Sequence, residues 1–419
     1  MKLNIPSILA RPHSGPVVDR LVRYARIETT SDRHIADIPS TLTQWNLARL
    51  LVEELTALGL SDITLDGHCY LIARLPASPG RESRPSIGLM AHIDTASDVT
   101  GANVQPRLVK GYDGGALALE EGRSLDPADF PELLGHIGDT LVTSDGRTLL
   151  GADDKAGLAE IMTAVAWLIA HPEIAHGPLE LIFTPDEETG NGMNLFPVAS
   201  LKSVACYTVD GSVGGEVEAE CFTAWEVKAE FTGKSIHPGY ARGRFANAVA
   251  MAASFVAMLP RSESPEATDN WYGYYNPHEM SGSVEKALVE VLVRDFEDEG
   301  MKRRLDALDA LARAVEVQFP GGKVELVRKK QYLNMKRRLD AHPEVLERAF
   351  EATRRAGVEP YSKPIRGGTD GSRLTEMGIP TPNLFTGGHN YHSRLEWASA
   401  SEMTLAVDTL IELVKLWGE

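Results

Sequence analysis

The chain has 419 residues, 43% hydrophobic and 24% charged, with a formal net charge of -17. That length exceeds the ~250–300 residues at which a single core stops growing, so two domains are expected. The acidic balance argues against nucleic acid or an anionic membrane surface as partner, since both want a basic face; it is compatible with divalent cations, although it is more often just a soluble surface.

The N-terminus, "MKLNIPSILARPHSG", offers one lysine and a short apolar piece broken by Pro6, too little for a signal peptide. No run of about 18 apolar residues occurs, so no membrane span is expected. Cys69, Cys206 and Cys221 show no close spacing and read as small apolar residues in a reducing compartment. The expected location is cytoplasmic.

In chain order, "PSTLTQWNLARLLVEELTALGL" has apolar residues at helical spacing, with Ser40 or Thr41 as cap and Gly59 near its end. "SIGLMAHID" is a short strand-like run. "GLAEIMTAVAWLIAH" is a helix pattern after a Gly-rich turn. "LELIFTPDE" and "SVACYTVDG" are two more apolar runs that end in acids. Such runs, separated by helices, predict an α/β fold with a sheet covered on both faces.

After Asp210 the pattern changes. "VEAECFTAWEVKAEF" alternates like a half-exposed strand, "FANAVAMAASFVAML" is a helix, "KALVEVLVRDF" a strand, "EDEGMKRRLDALDALARAVEVQF" an amphipathic helix and "GKVELVRKKQY" a strand. With one further strand before Lys286, the order matches the β-α-β-β-α-β unit of ferredoxin-like folds. Residues 214–330 therefore read as an inserted α+β domain. From His342 the α/β pattern resumes, with helices in "PEVLERAFEATRRAG" and "SEMTLAVDTLIELVKLW" and a strand in "TPNLF". The first domain is thus expected to comprise 1–213 and 331–419.

In open α/β sheets functional groups gather beyond the carboxyl ends of the strands. Here "GLMAHID" ends in His92 and Asp94, whose spacing of two points both side chains to one face. "LLGADDKAG" places Asp153 and Asp154 before a helix. "LIFTPDEE" offers Glu187 and Glu188, and "CYTVDG" offers Asp210. "LFTGGHNYHSRLEW" adds His389 and His392 after a strand and a glycine pair read as flexible. Each piece alone has a bland reading as cap, core or solvated loop; five at successive strand ends do not. Imidazole and carboxylate in this proportion suit zinc. Two ions sharing a carboxylate would neutralise the crowded acids, and a carboxylate left off the metals could act as general base and then acid.

The motifs "HIDT", "LLGADDKAG", "FTPDEETG", "YTVDG", "HPG", "IRGGTDGS" and "FTGGHNYHS" together resemble the dinuclear-zinc metallopeptidase family that includes carnosinases, aminoacylases and glutamate carboxypeptidases. Within it they resemble the peptidase T group of tripeptide-releasing aminopeptidases, over nearly the whole chain. The resemblance implies a zinc-exopeptidase-type mixed sheet with an inserted ferredoxin-like lid and dimerisation domain. It implies two Zn2+ per subunit, with Co2+ or Mn2+ as possible substitutes, and a small-peptide substrate. His92 and Asp210 would bind one zinc, Glu188 and His392 the second, and Asp153 would bridge them. Asp94 would support His92, and Glu187 would be the general base. His237 of "SIHPGYARG" would reach the partner subunit's centre in a homodimer and stabilise the oxyanion. Arg294 of "VLVRDF" and Arg366 of "IRGGTDGS" would clamp a substrate carboxylate. Asp154, Asp186 and His389 receive no role. Two places depart from the pattern: "HSRLEW", where glycine is expected after the ligand histidine, and "GHCYLIARL". A dipeptidase, aminoacylase or other amidohydrolase on this scaffold, and a non-catalytic peptide-binding relative, are the alternatives.

Overall fold

The structure, a computed structural model, describes residues 4–419; the first three residues of the N-terminal stretch, including Lys2, lie outside them. The chain divides into two compact units. One comprises residues up to Ala219 with Arg337–Lys363 and Thr369–Glu419; the other comprises Glu220–Lys336 with Pro364–Gly368, so Arg366 belongs to the second.

The first unit is built on a seven-stranded sheet. Across it run Asp62–Leu65, Leu71–Leu75, Leu179–Thr184, Ile87–His92, Ala205–Gly211, Asn383–Phe385 and Val217–Glu218. The central strands Leu179–Thr184, Ile87–His92, Ala205–Gly211 and Asn383–Phe385 are parallel, and the outer ones antiparallel. Every residue of Ile87–His92 and of Leu179–Thr184 is buried, which is why these segments read as continuous apolar runs rather than alternating ones. On one face lies the helix Ala152–Ala170, in contact with Ile87–His92 and Ala205–Gly211 and buried along most of its length. The last helix, Ala400–Gly418, packs on it and on Ser14–Ala25 and Pro343–Ala356. On the other face Tyr70, Ile72, Met90, Ile182, Phe196 and Leu374 form one apolar cluster. Full burial of such side chains contributes about 1.5–3 kcal/mol each. A smaller antiparallel sheet orders Gly388–His389, Trp397–Ser399, Thr140–Thr143 and Arg107–Lys110.

The second unit has a four-stranded antiparallel sheet ordered Tyr274–Gly282, Lys286–Asp295, Thr223–Thr232 and Lys323–Tyr332, with helices Ala248–Met258 and Asp298–Gln318 packed against it. Val227, Phe231, Phe255, Val289, Val291 and Leu308 fill the space between them. Along the chain this is strand-helix-strand-strand-helix-strand, the ferredoxin-like order.

One local expectation is corrected. The helix read from Ser40 or Thr41 starts at Gln44, and neither residue caps it. Their side chains are engaged elsewhere: Ser40 donates its N–H and hydroxyl to Asp186, and the Thr41 hydroxyl donates to the Thr30 carbonyl. The three cysteines are buried and free. Cys69, in the unusual "GHCYLIARL", has φ +67, a left-handed conformation in which glycine is commoner. Among the described residues no helix is long and apolar enough to cross a membrane.

Candidate metal centre

The carboxyl ends of the parallel strands deliver the centre of the first unit. His92 is the last residue of its strand, Asp210 stands near the end of Ala205–Gly211, and Glu187 and Glu188 follow Leu179–Thr184. Asp153 is near the start of the helix Ala152–Ala170, where the Asp153–Asp154 peptide is cis. His392, at φ +58, closes the site from the loop between Gly388–His389 and Trp397–Ser399.

Two donor groups result: His92, Asp153 and Asp210, and Asp153, Glu188 and His392. Within each, one atom from every residue lies within 4.8 Å of the others. Asp153 belongs to both. Its Oδ1 is 2.9 Å from His92 Nε2, and its Oδ2 is 3.2 Å from His392 Nε2. His92 Nε2 also lies 3.6 Å from Asp210 Oδ1, and His392 Nε2 lies 3.1 Å from Glu188 Oε2.

The electrostatics fit a cation pair. At about 4 Å, two carboxylates repel by roughly 4 kcal/mol if the effective dielectric is near 20. Burial, then neighbouring acids, push Glu188 up to about 7 and Asp210 to about 6, and raise Glu187 and Asp154 well above the carboxylate range. Burial disfavours charge on His92, but hydrogen bonds to Asp153 and Asp210 outweigh it and raise its pKa. Asp153 and Glu188 hold His392 at about 11. Burial likewise opposes charge on Asp153, yet the two histidines lower its pKa. Glu188 Oε1 is buried without a hydrogen-bond partner, a costly state for an acceptor and one that a bound cation would relieve. Donor chemistry and the orphaned oxygen both fit borderline divalent ions such as zinc.

A surrounding set of groups aims the donors. Asp94 Oδ1 faces His92 Nδ1 at 3.3 Å, and the Asp94 carboxylate accepts the N–H groups of Glu187 (3.0 Å) and Glu188 (3.2 Å). Asp154 accepts from the N–H groups of His92 (3.2 Å) and Gly157 (3.1 Å). Asp186, at φ +58, accepts from Ser40 and from the Gln44 side-chain amide (2.7 Å), which fixes the turn ahead of Glu187. Asp98 Oδ2 is 3.3 Å from His392 Nδ1. His389 does not face the centre; it is buried against Glu402, 2.8 Å away, and stacks on Trp397.

Sequence reasoning passed over Asp98, Asp370 and Glu396. Buried Asp370 accepts from the Thr184 hydroxyl. Glu396 accepts N–H groups from Leu150 (2.7 Å), Gly151 (2.8 Å) and Asp153 (3.1 Å), and so holds the loop that presents the shared carboxylate. It lies in "HSRLEW", whose departure from pattern was the one available signal. There Ser393 stands after His392, its hydroxyl donating to the Asn390 carbonyl at 2.7 Å and accepting from Leu395 N–H.

The remaining candidates lie in the second unit. His237 is exposed in a turn, and its Nδ1 accepts from Gly239 N–H at 3.1 Å. Arg294 is buried, with Nη1 donating to the carbonyls of Trp225 and Val293 and the guanidinium over the Tyr332 ring; the adjacent Asp295 pairs with Arg304. Arg366 commits both terminal nitrogens to the carbonyls of Thr268, Asn270 and Tyr272 and to the Thr268 hydroxyl. Gly368 lies against Tyr332. This arginine braces the 268–272 loop.

Known proteins resemble the chain in sequence and in fold. The model of Peptidase family M20/M25/M40 matches residues 145–416. A protein named Peptidase T from Geobacillus kaustophilus is 46% identical over 96% of this chain and 98% of its own. One of the same name from Clostridium perfringens is 42% identical over 96% and 99%. The solved structure of an aminopeptidase from Bacillus cereus superposes with a TM-score of 0.76 at 22% identity, covering 97% of this chain and 99% of that one. A tripeptidase from Staphylococcus aureus gives 0.77 at 21%, covering 97% and 98%. A dinuclear metal-binding peptidase from Bacillus subtilis gives 0.65 at 14%, covering 96% and 98%. The structural likenesses speak for the fold; the sequence likenesses, which run along almost the whole chain, establish that it belongs to peptidase family M20/M25/M40.

Proposed function

We propose that the protein is a dinuclear-zinc aminopeptidase that releases the N-terminal residue from tripeptides. The observation that carries this reading is the Asp153 carboxylate, with one oxygen toward each of two histidine-containing donor groups. His92 and Asp210 would hold one ion, Glu188 and His392 the other, and Asp153 both; cobalt or manganese would suit the same ligands. When bound, such a pair supplies Lewis acidity, acidifying a water and polarising a peptide carbonyl.

The chain's own groups do the rest. Glu187 belongs to neither donor group, and its backbone is anchored by Asp94, so its carboxylate is free to take a proton from the attacking water. It then returns that proton to the leaving amine. Asp94 keeps His92 in the tautomer that presents Nε2 to the centre. In our reading the second unit is a lid and dimerisation domain, and its exposed His237 donates to the oxyanion at the partner subunit's centre. Arg294 and Arg366 are the groups of that unit proposed to receive the substrate carboxylate. Arg366 would have to exchange loop carbonyls for it, so its larger contribution is to loop position. The names of the curated relatives support the tripeptide preference, and a cytoplasmic homodimer is the setting we infer.

The test is a panel of di-, tri- and tetrapeptides with N-acylated amino acids, each product identified. Selective release of the N-terminal residue from tripeptides is expected. Preference for N-blocked substrates or dipeptides would move the protein to an aminoacylase or dipeptidase role.

A further inference from the structure

Glu402 is a buried carboxylate outside both donor groups, and it joins the segments next to Asp210 and His392. Its Oε1 accepts from Gly214 N–H at 2.9 Å, and its Oε2 faces His389 Nε2 at 2.8 Å. Gly214 lies just beyond the strand Ala205–Gly211 that carries Asp210, and His389 ends the short strand ahead of the His392 loop. Both backbones press onto this side chain. A Cβ on Gly387 would lie 2.4 Å from Glu402 Cβ, and one on Gly214 would lie 2.9 Å from its Oε1. A Cβ on Gly388 would meet the Tyr391 ring at 2.5 Å, so the glycine pair of "FTGGH" serves close packing and not flexibility. The His389 ring stacks on Trp397 with centroids 3.9 Å apart, and His136 sits edge-on to both. His136 Nδ1 is 3.4 Å from Asp139, which accepts hydroxyl bonds of 2.6 Å from both Ser399 and Ser401. Burial opposes charge on Glu402, but His389 and His136 keep its carboxyl below the ordinary range.

We propose that Glu402 and His389 form a positioning pair that fixes the spacing between the two metal-binding groups, by tying the turn after Asp210's strand to the His392 loop. The proposal rests on the two-metal reading above. His136, His389 and Glu402 are themselves close enough to serve as a donor group. Unlike Glu188 Oε1, both Glu402 oxygens have hydrogen-bond partners, Gly214 N–H and His389 Nε2, so no orphaned oxygen there calls for a third ion. A positioning role follows from the geometry: losing the tie frees Asp210 and His392 to drift, and both ions bind more weakly although neither ligand is changed.

The test titrates metal-free protein with Co2+, reading affinity by calorimetry and ligand geometry by visible absorption. Wild type, Glu402→Ala, Glu402→Gln and His389→Phe are compared, with thermal melts of each metal-free form. Glu402→Gln keeps volume and an acceptor for Gly214, and it carries the test if Glu402→Ala does not fold. Wild type should bind two ions. Glu402→Ala and His389→Phe should weaken both by about tenfold or more, within the ~10–100-fold typical of groups that orient metal ligands, and should alter the cobalt spectrum. Glu402→Gln should fall between. A lower melting temperature with unchanged affinities and spectrum would overturn the proposal, leaving the pair a purely structural contact. So would a third ion in wild type that His389→Phe abolishes. Failure of wild type to bind cobalt would instead refute the metal-centre reading itself.

Discussion

Replacing Glu187 with Gln removes one proton acceptor and disturbs little else. The Glu187 N–H stays with Asp94 at 3.0 Å, and the side chain belongs to neither donor group. Gln keeps the volume and one acceptor oxygen but cannot carry a proton between water and amine. A positioned acid–base group contributes about 10²–10⁴-fold, or roughly 2.7–5.5 kcal/mol of barrier. In the proposed mechanism Glu187 serves both proton transfers, so kcat is expected to fall by about 10³–10⁴-fold, with KM and bound metal close to wild type. Initial rates on a tripeptide, alongside metal analysis by atomic emission, measure all three. A kcat within tenfold of wild type would refute the general-base assignment. Loss of one metal ion would show that Glu187 is a ligand and that its division of labour with Glu188 is wrong.

Three further outcomes are expected. Glu396→Gln turns an amide NH2 toward at least one of the N–H groups of Leu150, Gly151 and Asp153; a buried unpaired donor costs about 1–3 kcal/mol, so the melting temperature should fall by several degrees and both metal affinities should drop, as differential scanning fluorimetry and calorimetry would show. Asp186→Ala removes the acceptor for Ser40 and Gln44 at a left-handed position, and should cost about 2–4 kcal/mol in urea titrations by the sum of lost bonds and backbone strain. Metal-free protein should lose stability as pH rises from about 4 to 7. Asp210 is pushed up to about 6, and Glu188 and Asp370 to about 7, so their protonation favours the folded state and that contribution disappears through this window. His392, held at about 11, adds the same sign above its ordinary value. Metal-loaded protein should be nearly flat over that range, since cations replace protons there; equal slopes for the two forms would contradict this.

Groups adjacent in sequence were legible, and groups brought together by the fold were not. His92, Glu187, Glu188 and Asp210 follow apolar runs, and a buried parallel strand ending in an acid announces itself without coordinates. The elements of the second unit were likewise visible, because alternation and helical period are local properties. The Ser40 and Gln44 contacts to Asp186 join residues 146 and 142 positions apart; from sequence Ser40 looked like a helix cap, since nothing local shows a hydroxyl committed elsewhere. Glu396 and Glu402 are single acids in an otherwise mixed segment, and their importance comes from the backbones that converge on them. From sequence, Arg366 beside two glycines is a candidate clamp for a substrate carboxylate. Folding turned it onto loop carbonyls and set Gly368 against an aromatic ring.

The most direct test of the account is anomalous diffraction at the zinc edge from crystals of the zinc-loaded protein. It should show two peaks per chain on either side of the Asp153 carboxylate, one beside His92 and Asp210, the other beside Glu188 and His392. A single peak, or none touching Asp153, would contradict the shared-carboxylate centre on which the proposed chemistry depends.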